Sequence, residues 1–267
     1  MKAQTTELIG RVRENAPLVH NITNYVVMNS SANVLLALGA SPVMAHCREE
    51  VGEMAAIAGA LVLNIGTLEE NWVDAMILAG KTANQKGIPV ILDPVGSGAT
   101  TYRTASVKRI MDECRISVLR GNASEVFSLI DHDVRTKGVD SSLVLEASHI
   151  AAAKEMAENL GCVVAVSGPV DCITNGKKVC FVKNGHPLMT RVTGVGCGLS
   201  AVVGAFCAMA GEDLFEAIVS AFGFYGICGE MAASVADKPG SFEVAFIDSL
   251  FSAGKAEIDA MLNISGE

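Results

Sequence analysis

The sequence is poor in aromatic and charged residues, and this excludes several classes of protein. Aromatic residues make up 5% and charged residues 18% of the 267 positions. Lys and Arg number 20 against 29 Asp and Glu, which gives a formal net charge of −9. Nucleic-acid phosphates and anionic membrane surfaces both attract clustered basic side chains. The chain is therefore expected to bind neither nucleic acid nor a membrane.

Long apolar runs and paired cysteines are also missing. The richest apolar stretch, residues 201–209, is about half of the roughly 18 residues that cross a bilayer. The N-terminal sequence MKAQTTELIGRVRENAPL lacks the apolar segment of a secretory signal. None of the eight cysteines has CxxC spacing, so neither a zinc site nor a thioredoxin-like motif is indicated. We expect a cytoplasmic protein whose thiols are reduced and buried as small apolar side chains.

Aliphatic residues and glycine are plentiful, and their arrangement predicts an α/β fold. Short, unbroken apolar runs alternate with amphipathic stretches, which is typical of a parallel sheet covered by helices on both faces. Within residues 171–182, Asn175-Gly176 predicts a two-residue hairpin turn that adds antiparallel strands to the sheet. We expect one domain over residues 1–267. Strands are predicted at 41–45, 60–64, 89–92, 117–119 and 163–166, and helices at 49–58, 69–86, 141–160, 197–211, 214–236 and 242–263, with a further helix that ends at 114.

The turns that follow the predicted strands carry the candidate functional residues, because ligands of open α/β sheets bind beyond the carboxyl ends of the strands. In the first of these turns, Asp93 follows the run PVIL and precedes Pro94. Its carboxylate could hold a metal ion or a catalytic water. The alternative is an Asp-Pro turn in which the carboxylate caps backbone N–H groups.

The second turn, RGNASE at residues 120–125, combines a cation with the signature of a helix start. Arg120 could bind phosphate oxygens through its planar guanidinium. Asn122 and Glu125 have the spacing of a capping box. The same spacing would place the Glu125 carboxylate in the crevice that Asp93 faces. Since hydrated magnesium needs few direct protein ligands, Asp93 and Glu125 could hold such an ion largely through water.

Two later turns could bind phosphate. Ser167 follows the run VVAV, and its hydroxyl could donate to a phosphate or only form a polar turn. The sequence TGVGCG, residues 193–198, places three glycines before a long apolar helix. Neither a Walker loop nor G-x-G-x-x-G fits it, since Leu199 stands at the third-glycine position. Free backbone N–H groups and the helix dipole favour an anion there, at Gly194, Val195, Gly196 and Cys197.

Cys197 stands at the start of this helix, a position that is expected to lower the pKa of its thiol toward the thiolate. The thiol could then act as a nucleophile or a general base. The alternative is a small packed residue at a crowded turn. The nearest histidine in sequence is His186, so no Cys–His pair is predicted.

Six short motifs occur in a fixed order: HNITNY from residue 20, SPVM from 41, LNIGT from 63, DPVG from 93, RGNASE from 120 and TGVGC from 193. From about residue 15 to the C-terminus, the sequence resembles the hydroxyethylthiazole kinases of thiamine salvage. The resemblance implies a three-layer ribokinase-like α/β fold and a homotrimer with active sites between subunits. It also implies transfer of the γ-phosphoryl group of ATP to 4-methyl-5-(2-hydroxyethyl)thiazole, with Mg²⁺ as cofactor.

The resemblance also implies roles by position. Met44, Gly194 and Asn24 would contact the substrate, and Arg120 and Ser167 would contact the ATP phosphates. Asp93 and Glu125 would serve magnesium. Cys197 would occupy the place where related sugar and vitamin kinases carry a catalytic Asp. Two departures from the family are visible. Val195 replaces a hydroxyl side chain, and Gly198 replaces a larger apolar one, which weakens the helix start by up to about 1 kcal/mol relative to Ala. Both departures are expected to affect the catalytic rate.

Other functions remain open from the residues alone. A chain with this fold could phosphorylate another small vitamin alcohol, such as pyridoxal or hydroxymethylpyrimidine. The altered glycine loop is also compatible with a regulator that binds a nucleotide or a thiamine precursor without catalysis. A Rossmann dehydrogenase is disfavoured, because the glycine loop comes late in the chain and has the wrong spacing.

Overall fold

A computed structural model describes residues 1–130, 146–211 and 213–266. The strands are β1 (Leu18–Ile22), β2 (Ser41–Val43), β3 (Ala60–Asn64), β4 (Val90–Asp93), β5 (Val118–Asn122), β6 (Val163–Ser167), β7 (Asp171–Thr174), β8 (Val179–Val182) and β9 (Ile264–Gly266). The helices are α1 (Lys2–Asn15), α2 (Met28–Leu38), α3 (Val51–Ile57), α4 (Glu70–Lys86), α5 (Thr101–Glu113), α6 (Ala123–Phe127), α7 (Ala147–Leu160), α8 (Val195–Ala208), α9 (Leu214–Val235), α10 (Pro239–Ser252) and α11 (Lys255–Met261), with a 3₁₀ turn at Pro187–Arg191.

The strands form one sheet in the order β2-β1-β3-β4-β5-β6-β7-β8-β9. The first six strands in that order are parallel, and the last three pairings are antiparallel. The chain leaves β1 to one side to form β2 and crosses to the other side to form β3. Such a reversal of strand order opens a crevice at the carboxyl ends of the two strands, and β1 and β3 therefore mark the expected ligand site.

Helices cover both faces of the sheet and create two separate apolar cores. One core packs α1, α2, α8, α9 and α10 against one face, and the other packs α3, α4, α5 and α7 against the opposite face. Alternate residues of β3 supply the two cores: Val62 belongs to the first, and Leu61 and Leu63 to the second. The strands are buried on both sides, which explains their unbroken apolar runs. The predicted α/β architecture is confirmed.

The hairpin and the helix ends differ in detail from the predictions. β7 and β8 do extend the sheet, but residues 175–178 form a four-residue connection instead of a two-residue turn. The Asn175 side chain accepts hydrogen bonds from the backbone N–H groups of Lys177 and Lys178, which stabilises the longer loop. The C-terminal helix predicted at 242–263 is divided into α10 and α11 and is followed by β9. Of the helix predicted at 141–160, residues 141–145 lie outside the described residues.

The expectations about the length of the apolar stretches and about the burial of the cysteines need correction. By length and composition α9 could cross a membrane, although 72% of its most apolar 18-residue window is buried inside the fold, as in a core helix. The helix itself agrees with the one predicted at 214–236, but its length and hydropathy do not show as an uninterrupted apolar run because polar and charged residues are scattered along it. The cysteines are free; six are buried as expected, but Cys47 is exposed and Cys197 half-buried.

Candidate active site

Buried amides join the strand ends at the crevice between β1 and β3. Asn24 lies just beyond β1, and its Nδ2 donates to Asn64 Oδ1 at the end of β3, at 2.8 Å. The Nδ2 of Asn64 donates in turn to Asp93 Oδ2 at the end of β4, at 2.9 Å. All three side chains are buried. The polar residues at or just beyond the ends of three apolar strands therefore form one connected group.

Asp93 lies at the centre of this group. Its Oδ2 also accepts a hydrogen bond of 2.7 Å from the Ser200 hydroxyl, and the Arg120 guanidinium lies 3.6 Å away. The alternative of backbone capping is wrong, because the partners that Oδ2 binds are side chains. Oδ1 is buried and has no hydrogen-bond partner among the described residues. Burial raises the pKa of the Asp93 carboxyl above its ordinary value, and the charge of Arg120 opposes this effect.

Arg120, in the middle of β5, connects this carboxylate to the glycine-rich loop. Its Nη1 donates to the Gly196 carbonyl at 2.9 Å, and its Nη2 donates to the Ser167 hydroxyl at 2.8 Å. Ser167 is the last residue of β6 and donates to the Gly121 carbonyl. The guanidinium that was predicted to bind phosphate is thus already engaged by the protein, and its buried Nε is without a partner in the described chain.

Glu125 forms the predicted capping box with Asn122 at the start of α6. One of its carboxylate oxygens accepts from the Asn122 N–H, and the other accepts from the Gly96 N–H in the turn after β4, both at 2.9 Å. Glu125 is 3% exposed. Burial, followed by the negative charge of Asp93, raises the pKa of the Glu125 carboxyl. The two carboxylates therefore influence each other electrostatically, although no hydrogen bond joins them.

The donor set fits a hydrated magnesium ion better than a fully ligated metal. Within residues 1–130, 146–211 and 213–266, no group of three or more His, Cys, Asp or Glu side chains could hold a metal ion. The unpartnered Oδ1 of Asp93 nevertheless offers a hard oxygen ligand. A divalent cation would also offset the mutual repulsion of Asp93 and Glu125. Magnesium that keeps most of its waters needs only one or two carboxylates.

The backbone of the glycine-rich loop has the shape that an anion site requires. Gly194 caps α8 with φ +85°, and a Cβ there would lie 2.9 Å from Ser30 Oγ and 3.0 Å from Val27 Cγ1. Glycine is thus required at this position. The first N–H groups of α8 have no acceptor within the helix, and the carbonyl of Gly194 begins the helical pattern by accepting from the Gly198 N–H. Gly196 is exposed, so this helix start is open to a ligand.

Cys197 lies beside the amide chain, but its thiol is not activated in this structure. The Nδ2 of Asn24 is 3.6 Å from its Sγ. Burial and the charge of Asp93 raise the pKa of the Cys197 thiol to about 12, although hydrogen bonds from Asn64 and Asn24 act in the opposite direction. The prediction of a lowered pKa is wrong, because desolvation of the thiolate outweighs the effect of the helix start.

Met44 is the predicted site residue that stands apart. It follows β2, the edge strand on the far side of β1, and it is half-buried. Its carbonyl oxygen lies 3.4 Å from His46 Nδ1. It shares the carboxyl end of the sheet with the other site residues, but none of the hydrogen bonds seen in the described chain connects it to them.

Three residues of the site carried no assigned role in the sequence analysis. Asn64 connects β3 to Asp93, and Ser200 connects α8 to Asp93. Tyr225, which is 2% exposed, donates its hydroxyl to the Val195 carbonyl at 2.7 Å. Asn64 could have been identified from the sequence as the polar residue that ends an apolar strand. Ser200 could have been identified as a hydroxyl side chain one helical turn after Gly196. Nothing in the sequence distinguishes Tyr225 from other residues of an apolar helix.

Comparison with solved structures places the fold in a known class. The pyridoxal kinase from Staphylococcus aureus in complex with AMP-PCP shares this fold with a TM-score of 0.68 at 13% identity, over 94% of this chain and 98% of that one. Another similar structure is described as a ribokinase-like superfamily protein from Enterococcus faecalis, with a TM-score of 0.65. The chain thus has the ribokinase-like α/β fold.

Sequence comparison narrows this class to one family. The sequence profile "HK: Hydroxyethylthiazole kinase family" matches residues 9–255. A hydroxyethylthiazole kinase from Desulfotalea psychrophila is 52% identical over 254 residues, 95% of this chain and 92% of the relative. The solved hydroxyethylthiazole kinase from Pyrococcus horikoshii has a TM-score of 0.87 at 40% identity, with both chains fully covered. The chain belongs to the hydroxyethylthiazole kinase family.

Proposed function

We propose that the chain uses ATP to phosphorylate the hydroxyl group of 4-methyl-5-(2-hydroxyethyl)thiazole, as a step of thiamine salvage, and that residues 1–267 form one kinase domain for this reaction. Membership of the family supports the reaction. The observation that carries the assignment of the site is the convergence of Asp93, Arg120 and the open start of α8 at the carboxyl ends of the parallel strands.

The start of α8 would bind the phosphoryl group that is transferred. Phosphoryl transfer requires mainly positioning and stabilisation of charge. The N–H groups of residues 194–197 supply fixed donors, and the helix dipole favours negative charge there. Arg120 and Ser167 adjoin this loop. We propose that the unpartnered Nε of Arg120 contacts the phosphates, while its Nη atoms keep the loop in place.

Asp93 and Glu125 would hold magnesium, Asp93 through its unpartnered oxygen and Glu125 through water, since its own oxygens accept backbone N–H groups. When bound, the ion neutralises phosphate charge. Asn64 and Ser200 would keep the Asp93 carboxylate in one orientation, because both donate to its other oxygen.

Two roles for Cys197 remain: a general base for the substrate hydroxyl, or a member of the anion pocket through its N–H group. The raised pKa of its thiol supports the second role, because a thiol with a pKa of about 12 stays protonated near neutral pH. A loose transition state also places little demand on a base. We therefore assign the anion pocket role to Cys197, beside Gly194, Val195 and Gly196.

We further propose that the chain works in the cytoplasm as a homotrimer, with active sites between subunits and without nucleic-acid or membrane partners. Tyr25 and Val26 follow Asn24 directly and are 60% and 68% exposed. Apolar side chains exposed beside a site support its completion by a neighbouring subunit, as does the position of Met44 at the sheet edge. Met44, Gly194 and Asn24 would contact the thiazole. Light scattering coupled to size-exclusion chromatography tests this assembly.

The central experiment is ADP release with Mg-ATP and a panel of acceptors: the thiazole alcohol, pyridoxal, hydroxymethylpyrimidine and no acceptor. Release that depends on the thiazole alcohol is expected. Release with another acceptor alone would reassign the substrate. No release with any acceptor would contradict the kinase and favour the alternative of a protein that binds without catalysis. Arg120→Lys is expected to lose most activity because it loses the planar fork. Arg109→Lys, an exposed arginine paired with Asp74, is the matched control.

A further inference from the structure

The carbonyl groups in the first turn of α8 are held from outside the helix by two side chains. The Tyr225 hydroxyl on α9 donates to the Val195 carbonyl at 2.7 Å. Arg120 on β5 donates to the next carbonyl, that of Gly196, at 2.9 Å. A helix carbonyl normally accepts only from the N–H four residues later. The additional donors therefore call for an explanation.

The planarity of the peptide bond supplies one. A trans peptide fixes the C=O of one residue and the N–H of the next in one plane, pointing in opposite directions. A donor on the Val195 carbonyl thus sets the direction of the Gly196 N–H. In the same way, the bond from Arg120 to the Gly196 carbonyl sets the direction of the Cys197 N–H. These two N–H groups belong to the proposed anion site.

The missing side chain at residue 198 makes room for the tyrosine hydroxyl. A Cβ on Gly198 would lie 2.7 Å from Tyr225 Oη, well inside contact distance, and 3.4 Å from Val34 Cγ2. The Tyr225 ring cannot move away easily, because it is 2% exposed and packs edge-on against Phe246 with the ring centroids 4.9 Å apart. Gly198, one of the two departures from the family loop, and Tyr225 therefore form a matched pair.

We propose that Tyr225 is a positioning residue for phosphoryl transfer, which aims the Gly196 N–H at the transferred group and which requires glycine at residue 198. This inference rests on the proposed function. It assigns Tyr225 no contact with the substrate. It also gives a structural reason for a glycine at residue 198, because any larger side chain would collide with the Tyr225 hydroxyl.

Tyr225→Phe removes only the hydroxyl and tests the inference by steady-state kinetics. We expect kcat to fall about tenfold, which corresponds to roughly 1.4 kcal/mol. The loss is smaller than for removal of a whole donor, because the Gly196 N–H is misdirected and still present. The KM for the thiazole alcohol should stay within about twofold, which a general loss of structure would not produce. Tyr102→Phe, which removes an exposed hydroxyl on α5, is the matched control and should leave kcat unchanged.

A double-mutant cycle with Gly198→Ala separates positioning from general damage. Gly198→Ala alone should lower kcat about tenfold, since the new methyl group displaces the hydroxyl. In the Tyr225→Phe background, the nearest tyrosine ring carbon lies 3.7 Å from the new Cβ, so Ala should cause little further loss. The pair would then lose about tenfold in total.

The outcomes are distinct. Inactive wild-type protein would refute the proposed function itself. Active wild type with an equally active Tyr225→Phe variant, or a loss of about a hundredfold in the double variant, would overturn the positioning role. Circular dichroism of each variant establishes that it is folded. If Tyr225→Phe does not fold, Gly198→Ala still tests the pair: unchanged kcat in a folded protein would overturn it.

Discussion

Replacement of Glu125 by Gln examines whether this carboxylate supports the backbone, the metal or both. The carboxylate is 3% exposed, and each of its oxygens accepts a backbone N–H, from Gly96 and from Asn122. Gln keeps one oxygen acceptor but places an amide NH₂ where the other stood. One backbone N–H then faces another donor inside the protein. The loss of a hydrogen bond to a buried charged acceptor amounts to about 1.5–3 kcal/mol.

Thermal and urea unfolding measure this effect directly. At about 2–4 °C per kcal/mol, the value for a chain of 150–250 residues, the midpoint should fall by roughly 3–12 °C. Glu113→Gln is the control, because Glu113 is exposed and pairs with Lys81 at the surface. An exposed pair contributes about 0–1 kcal/mol. An unchanged midpoint for Glu125→Gln would refute the reasoning that both oxygens accept backbone hydrogen bonds.

The metal role of Glu125 is tested separately by a magnesium titration at a temperature where both proteins are folded. If Glu125 helps to hold the ion, the variant should need more magnesium for half-maximal activity, and excess magnesium should restore part of the rate. A variant that is less stable but has an unchanged magnesium requirement would limit Glu125 to capping α6 and the turn at Gly96. Asp93 would then be the remaining carboxylate for the ion.

Three other substitutions test single features. Burial raises the pKa of Asp171 to about 7 from its ordinary 3.8, so the fold keeps a proton that the unfolded chain releases. Asp171 should therefore lower the stability by up to about 4 kcal/mol between pH 4 and pH 7, and Asp171→Asn should remove this share of the pH dependence in urea unfolding, which an unaltered slope would contradict. Cys197→Ser should retain turnover within about tenfold, and a much larger loss of turnover would support the role of Cys197 as a general base instead. Gly194→Ala should raise the KM for ATP at least tenfold, because φ +85° and the Ser30 contact disfavour a Cβ; an unchanged KM would argue against an anion site there.

The architecture was predictable from the sequence because a strand that is buried on both faces of a sheet consists of an unbroken apolar run. The run at residues 60–64 is the whole of β3, and Gly87 ends α4 as an αL cap. The division between α10 and α11 was missed, although the sequence carries a signal for it: Gly254 precedes α11, and its N–H donates to the Glu257 carboxylate three residues later. Strand β9 is three residues long and was missed as well, because it pairs with β8, whose residues lie more than 80 positions earlier in the chain.

The site was partly predictable for a similar reason. Asp93 and Arg120 were found because each follows a short apolar run, and parallel strands bring the residues after such runs to the same edge of the sheet. The protonation state of Cys197 was not predictable. A helix start lowers the pKa of a thiol, but the depth of burial, which depends on distant residues, decides the direction of the shift. The contact between Tyr225 and Val195 joins residues 30 positions apart and left no trace in either segment.

The arrangement of polar groups explains why a chain with so few charged residues buries several of them here. An ion pair such as Asp93–Arg120 loses several kcal/mol of hydration per charge, and its attraction alone does not reliably restore this loss. The hydrogen bonds around the pair orient the neighbouring groups. Arg120 donates to the Gly196 carbonyl and to Ser167, and Asn64 and Ser200 donate to Asp93. Each member of this ion pair keeps one buried atom without a partner among the described residues, Asp93 Oδ1 and Arg120 Nε, and the two atoms are of opposite character. One suits a cation and the other an anion, which is the combination that a magnesium nucleotide presents.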